Sequence, residues 1–277
     1  MSKPVLVIIG SGGMGSAIAR RIGYGRTLVL ADFDEARLES FTAAMKGDGY
    51  DAVAHKVDVS DRASVAALAD TAAMLGPVTG VAHTAGVSPQ QAPVAAILTV
   101  DLLGTAIVLE EFERVIAEGG AGVVISSMGG HMGAYPAELE QALASTPTDQ
   151  LLSLPFLSPE ALTNAGAAYS IAKRANQLRV RAAAPLWGER GARINSISPG
   201  IISTPMGQLE LAGPTGDGMR AMLDASAVKR LGTPEDIANA AEFLLDPRTS
   251  FITGTDLLVD GGVIAALKSG RLSLPQT

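Results

Sequence analysis

The sequence predicts a single doubly wound α/β domain built on a parallel sheet of about seven strands, read over all 277 residues. Short apolar runs alternate with longer helical patterns almost throughout. A glycine-rich turn follows the first apolar run at once. With 47% hydrophobic and 18% charged residues, the chain can fill one large core, and no linker-like stretch divides it.

The strand-like runs are 5–9, 27–31, 52–57, 80–84, 122–126, 193–198 and 256–259, rich in Val, Ile and Leu as buried parallel strands require. Helical patterns lie between them at 35–45, 61–75, 106–117 and 168–187. A further helix starts at Pro234, with Thr233 as N-cap, Pro234 at the first helical position and Asp236 at the positive end. One segment breaks the rhythm. Residues 132–165 form an insertion carrying Pro136, Pro147, Pro155 and Pro159, and within it 137–144 and 159–164 read as helical.

The net charge of −7 and the lack of any basic run disfavour nucleic acid and anionic membrane as partners. With no cysteine, disulfides and thiolate metal sites are excluded. His55, His83 and His131 stand singly, so no metal is expected. The first apolar run is too short for a secretion signal, and no stretch approaches the ~20 apolar residues of a membrane span. A cytoplasmic protein is expected.

Gly10, Gly12 and Gly15, with Ser11, Gly13 and Met14 between them, match G-x-G-x-x-G at a strand-to-helix turn. Such a turn lets backbone approach a pyrophosphate, whose charge then rests on the helix N-terminus. The next strand delivers Asp32, seventeen residues beyond Gly15, to accept hydrogen bonds from an adenosine ribose. A 2′-phosphate about 4 Å from that carboxylate would meet repulsion of about 4 kcal/mol per charge at an effective dielectric of ~20. Ser11 and Phe33 beside it are uncharged, and Arg37 reads as part of a solvated helix face. The expected cofactor is therefore NAD, not NADP.

Tyr169 and Lys173 stand one helical turn apart in Ala-Tyr-Ser-Ile-Ala-Lys. A tyrosine is a weak base near neutrality, its ordinary pKa being ~10. A cation about 5 Å away contributes about 3 kcal/mol towards the phenolate at an effective dielectric of ~20. Further motifs accompany the pair in order: Val57-Asp58-Val59, Thr84-Ala85-Gly86, Ser126-Ser127-Met128-Gly129-Gly130, Pro199-Gly200-Ile201-Ile202-Ser203-Thr204 and Val259-Asp260-Gly261-Gly262. Together they resemble the classical short-chain dehydrogenases/reductases, over roughly residues 5–262.

The resemblance implies a Rossmann-type sheet and NAD-dependent hydride chemistry between a secondary alcohol and a ketone. It implies Tyr169 as general acid/base, Ser127 as the group that stabilises charge on the substrate oxygen, and Lys173 as support for the tyrosine and holder of a nicotinamide ribose. Asp58, Val59 and Phe33 would lie by the adenine, and Thr84, Ala85 and Gly86 along the cofactor. Pro199, Gly200, Ile202 and Thr204 would lie by the carboxamide. Ser126 is expected to point elsewhere or to meet the cofactor.

Three departures from the family pattern stand out. The glycine turn is one residue shorter than the family's. His83-Thr84 replaces two asparagines, with His83 read as a packed strand residue. Asp101 stands where the family has an asparagine in its proton relay, and its backbone is expected to do that asparagine's work.

The 42 positions between Ser127 and Tyr169 exceed the family's usual dozen, so the insertion is either a lid or a subunit-contact element. Similar insertions occur in bacterial hydroxysteroid dehydrogenase/carbonyl reductase relatives, which Trp187-Gly188-Glu189 also resembles. Residues 204–223 read as a mobile loop closing on substrate. Met132, Met206, Leu209, Leu211 and Met219 suggest an apolar pocket, and His131 points either into it or to the surface. The expected substrate is a cyclic or bulky apolar ketone or alcohol, and the assembly a homodimer or homotetramer. The alternatives are a 3-oxoacyl reductase and a catalytically silent NAD sensor. A serine hydrolase is disfavoured, because no Gly-x-Ser-x-Gly elbow is present. The tail 263–277 reaches a neighbouring subunit or frays.

Overall fold

Hydrophobic runs that lie buried on both faces dictate the centre of the molecule. In the computed structural model, which describes residues 2–272, seven parallel strands form one sheet in the order β3-β2-β1-β4-β5-β6-β7. They are β1 (Val5–Ile9), β2 (Thr27–Asp32), β3 (Asp51–Lys56), β4 (Val78–His83), β5 (Ile116–Ile125), β6 (Arg193–Pro199) and β7 (Asp256–Val259). Along β1 the side chains alternate between two cores: Val5, Val7 and Ile9 enter one, and Leu6 and Ile8 the other. The strand order reverses between β1 and β4, and the ends of those two strands open a crevice. No helix among the described residues is long and apolar enough to cross a membrane.

The helices covering the sheet are α1 (Gly13–Ile22), α2 (Glu35–Gly47), α3 (Arg62–Leu75), α4 (Val94–Ile97), α5 (Thr105–Glu113), α6 (Ala137–Ser145) and α7 (Ala165–Glu189). After β6 come α8 (Pro205–Ala212), α9 (Gly216–Ala225), α10 (Pro234–Leu245) and, following β7, α11 (Val263–Lys268). Thr233 and Asp236 close a reciprocal capping box on α10, as their spacing predicts. The start of the 263–277 tail is α11, and 273–277 lie outside the described residues.

Three expectations need correction, and one element was not foreseen. The helix predicted over 106–117 ends at Glu113, because the chain turns at 114–115 and enters an extended β5 at Ile116. A register shift where β5 meets β4, with Gly119 at φ +77°, makes room for the extra length. Residues 159–164 make a single turn, not a helix: Ser158 caps that turn, but Asn164 is already the N-cap of α7. Residues 204–223 are not a loop but the helical pair α8 and α9. Finally, α4 and α5 join through a π-helical stretch, Leu98–Gly104, that nothing in the hydrophobic pattern announces.

The insertion is packed down instead of free. Leu143 and Leu151 are fully buried in a small core of their own with Ile97, Leu102 and Ala172. Arg179 on α7 pins it, donating to the carbonyls of Leu143 and Thr146 and to the Thr148 hydroxyl, each at 3.0 Å. Arg174 adds an ion pair to Glu140 at 2.7 Å. Arg179→Leu strips partners from two carbonyls and a hydroxyl and should destabilise the fold by about 3 kcal/mol. Urea unfolding measures that loss, and limited proteolysis should cut within 132–165 in the variant well before wild type.

Candidate active site

Two groups of residues meet at the C-terminal edge of the sheet. The first surrounds the turn between β1 and α1. A Cβ at Gly15 would lie 1.9 Å from the Gly10 carbonyl, and one at Gly10 would lie 2.6 Å from the Ala85 nitrogen, so both close approaches require glycine. A Cβ at Gly12 would meet nothing within 4 Å: that face of the turn is open. Gly12 caps α1 with no side-chain bond, and the first turn of α1 carries no acid. Free N–H groups on an uncapped helix start fit a pyrophosphate, so the residues present suit a dinucleotide.

Asp32 ends β2 beside this turn. Its Oδ2 accepts from the Ser11 N–H at 2.6 Å and the Ser11 hydroxyl at 2.7 Å, and its Oδ1 accepts from the Asp34 N–H at 2.9 Å. Thr84 donates its hydroxyl to the Gly10 carbonyl at 2.9 Å, tying the β4 end to the turn. Thr204 lies against Gly13 and caps α8 through its hydroxyl. Met14 packs into the core beneath the turn, and Phe33 is exposed at the rim. The Asp58 carboxylate accepts from Ser60 through Oδ1, and the Val59 side chain is buried against Gly104. Pro199 and Ile202 are buried, and Gly200 lies against Asp260.

The second group gathers where β5 ends. Between 121 and 130 only Ser127 keeps part of its surface open. Ser126 turns away and donates to the Lys173 carbonyl at 2.7 Å. Lys173 is buried, with Nζ 3.4 Å from the Ile125 carbonyl, 3.4 Å from Asp101 Oδ2 and 5.4 Å from the centre of the Tyr169 ring. Gly86 abuts both Asp101 and Lys173.

The Asp101 carbonyl accepts from the Thr105 hydroxyl at 2.9 Å, while its carboxylate faces Lys173 and takes the Val87 N–H at 2.8 Å. The side chain is fully buried. Burial disfavours the charge on Lys173, but the Asp101 carboxylate and Tyr169 outweigh it, and the ammonium pKa rises. Tyr169 departs from expectation. Burial of the phenol, with Asp101 and Glu210 in support, outweighs the pull of Lys173 and of a Ser127 hydrogen bond, so its pKa is raised, not lowered.

A polar network beneath α7 escaped the sequence reading. Gln177 donates to the Ser198 hydroxyl at 3.0 Å, and Ser198 and Ser196 both donate to Asp256 Oδ1. Asp256 Oδ2 lies 2.7 Å from His131 Nε2, so His131 is held by the β7 carboxylate. Its members lie on β6, β7, α7 and the turn after β5, far apart in sequence. Of the five residues expected to line a pocket, Met132, Leu211 and Met219 are partly buried and pack against a cluster with Met128 and Val263. An apolar cavity of about 510 Å³ lies between α4 and the insertion, lined by Val94, Leu98, Leu152, Leu157 and Leu162.

Residues 9–143 and 137–264 match the family model described as enoyl-(acyl carrier protein) reductase. The short-chain dehydrogenase/reductase bsc3 of Alternaria brassicicola is 42% identical over 269 residues, covering 96% of this chain and 98% of its own. The cis-4-hydroxycyclohexanecarboxylate dehydrogenase of Sinomonas cyclohexanicum is 30% identical over 277 residues, covering 95% and 98%. This chain belongs to the short-chain dehydrogenases/reductases. Among solved structures, levodione reductase superposes with a TM-score of 0.77 at 26% identity, covering 96% of this chain and 99% of its own. Family membership makes the chain an oxidoreductase of a group that binds nicotinamide dinucleotides and includes dehydrogenases acting on alcohols.

His83, at the end of β4, is fully buried. The Thr105 hydroxyl gives its only proton to Asp101, so His83 Nε2 must donate at 3.2 Å, and Nδ1 has no partner. Burial, helped by Lys173, lowers its pKa from 6.5 to about 3. Between those values the unfolded chain binds a proton that the folded chain refuses, so stability declines as pH falls from about 6.5 towards 3. The loss at pH 5 is about 2 kcal/mol. His83→Asn should remove it: urea unfolding of the variant at neutral and mildly acid pH should show a correspondingly smaller difference than wild type.

Proposed function

We propose that this chain is an NAD-dependent oxidoreductase interconverting a secondary alcohol and a ketone on a cyclic or bulky, largely apolar substrate. It would work as a cytoplasmic homodimer or homotetramer. The observation that carries this reading is the convergence of the Ser127 hydroxyl, the Tyr169 phenol and the buried Lys173 ammonium beside Gly86. A bound nicotinamide would supply or accept the hydride. Tyr169, protonated at neutral pH as any tyrosine is, would give its phenolic proton to the substrate oxygen. Ser127 holds that oxygen by a hydrogen bond as charge develops on it, and Lys173 stabilises the phenolate left behind.

The preference for NAD rests on Asp32. Its carboxylate is fixed facing the glycine turn, and the nearest cations are engaged elsewhere: Arg37 with Asp34 at 3.2 Å, and Lys56 with Glu35 at 2.9 Å. No side chain there compensates a 2′-phosphate, and about 3 to 4 kcal/mol of repulsion is a hundredfold preference or more. The cyclohexane ring in the name of the Sinomonas relative's substrate supports a ring-sized substrate here.

Formation of reduced cofactor, followed across secondary alcohols from acyclic to steroid-sized, tests this reading. Turnover with NAD should exceed that with NADP by about a hundredfold or more, and Tyr169→Phe should lower it by about a hundredfold to ten-thousandfold. Tight NAD binding with no turnover across the panel would favour a cofactor sensor instead.

Asp101→Asn tests the electrostatics separately. The carboxylate raises the Tyr169 pKa, so its neutralisation should move the alkaline rise of alcohol oxidation to lower pH. A move to higher pH would mean that Asp101 acts chiefly by keeping Lys173 protonated.

A further inference from the structure

Ser127 heads a short 3₁₀ turn, Met128–His131, and its hydroxyl oxygen belongs to that turn, accepting from the Gly129 N–H at 3.1 Å. Where the hydroxyl points is therefore set by how the turn is held. A Cβ at Gly129 would lie 3.6 Å from the Tyr169 ring, and one at Gly130 would lie 2.9 Å from the Lys173 backbone. The turn is thus pressed onto α7 beside both catalytic side chains.

Both ends of the turn are fastened by side chains. At its start the Ser127 carbonyl accepts from the Gly130 N–H at 3.0 Å and from Gln177 Nε2 at 3.4 Å. At its end His131 Nε2 lies 2.7 Å from Asp256 Oδ2. Gln177 joins the two fastenings. Its Nε2 also donates to the Ser198 hydroxyl at 3.0 Å, and Ser198 donates to Asp256 Oδ1 at 2.9 Å.

Packing alone does not account for Asp256. It opens β7 in register with the fully buried Ser196, and its own side chain is 9% exposed. A carboxylate at that depth is costly unless it is paired. Ser196 and Ser198 serve Oδ1, and His131 is the partner of Oδ2. An aliphatic residue would fill the same place without the cost of burial. What the carboxylate adds is a rigid anchor for the histidine.

We propose that His131 is a positioning residue: anchored on Asp256, it fixes the turn that aims the Ser127 hydroxyl, while Gln177 fixes the other end. This rests on the reading of Ser127 as the group that holds the substrate oxygen. In a loosened turn the hydroxyl would leave the line to that oxygen, and the loss would fall on the transition state, where charge on the oxygen is greatest. The network contains no residue of the glycine turn, so cofactor affinity is a separate property.

A double-mutant cycle on the full chain tests this, with cyclohexanol and NAD as substrates and direct titration for NAD affinity. His131→Ala should lower kcat by about tenfold or more, move KM by less than about twofold and leave NAD affinity unchanged. In a Ser127→Ala background the same substitution should cost almost nothing, because the group it aims is gone. His131→Gln, whose side-chain amide reaches the place of Nε2, should recover most of the loss. Gln177→Met should lower kcat in the same serine-dependent way, and it carries the cycle if thermal melting shows that His131→Ala does not fold. A merely structural histidine would weaken rate and cofactor binding together. Equal losses in both backgrounds, an unchanged kcat in His131→Ala, or no recovery in His131→Gln overturns the proposal. Wild-type turnover that Tyr169→Phe abolishes upholds the underlying reading whatever the cycle gives, whereas no turnover of any secondary alcohol refutes both.

Discussion

The buried pair of Lys173 and Asp101, 3.4 Å apart, is the constraint on which the site depends. Neither charge can exist alone at that depth, since an isolated ion in a poorly polarisable interior costs several kcal/mol. Each therefore fixes the position of the other, and together they fix four pieces of chain. Lys173 carries α7 and reaches the end of β5 through the Ile125 carbonyl. Asp101 carries the π-helical stretch and holds the turn after β4 through Val87. Tyr169 rides on the same face of α7 as Lys173, so its place follows from the pair.

The π-helical stretch is what permits this arrangement. Asp101 lies within Leu98–Gly104, where the wider turn changes the face that each side chain presents. Thr105 then closes the stretch by bonding the Asp101 carbonyl, and His83 bonds Thr105 in turn. A line of buried polar groups thus runs from the end of β4 to the ammonium. Burying so much polarity is tolerated because nearly every member has a partner; the orphans are His83 Nδ1 and Asp101 Oδ2, and the latter faces the lysine.

The parts legible in the sequence were those set by short-range rules. Parallel strands buried on both faces announce themselves as runs of Val, Ile and Leu, and all seven lie where those runs predict, within a few residues except for β5. The glycine turn was legible because close backbone approach leaves one residue type able to occupy Gly15. What stayed hidden depends on partners distant in sequence. His131 meets Asp256 only once β5, β6 and β7 lie side by side, and no periodicity encodes that. The packing of the insertion was hidden for the same reason: its prolines mark a long irregular segment, but what holds it down is Arg179 on another helix.

The electrostatics of Tyr169 carry the same lesson about magnitude. A lysine one turn away favours the phenolate, and spacing alone suggests a lowered pKa. In the folded chain Asp101 sits 3.4 Å from that lysine and raises the phenol pKa, and partial burial against the insertion core raises it too. Burial then decides the outcome, and the tyrosine rests as a neutral proton donor. Glu210, on α8, pushes the same way. The proton is thus held on the phenol by surroundings on three sides, and any group that enters the crevice and changes the balance of charge there changes how readily Tyr169 gives it up.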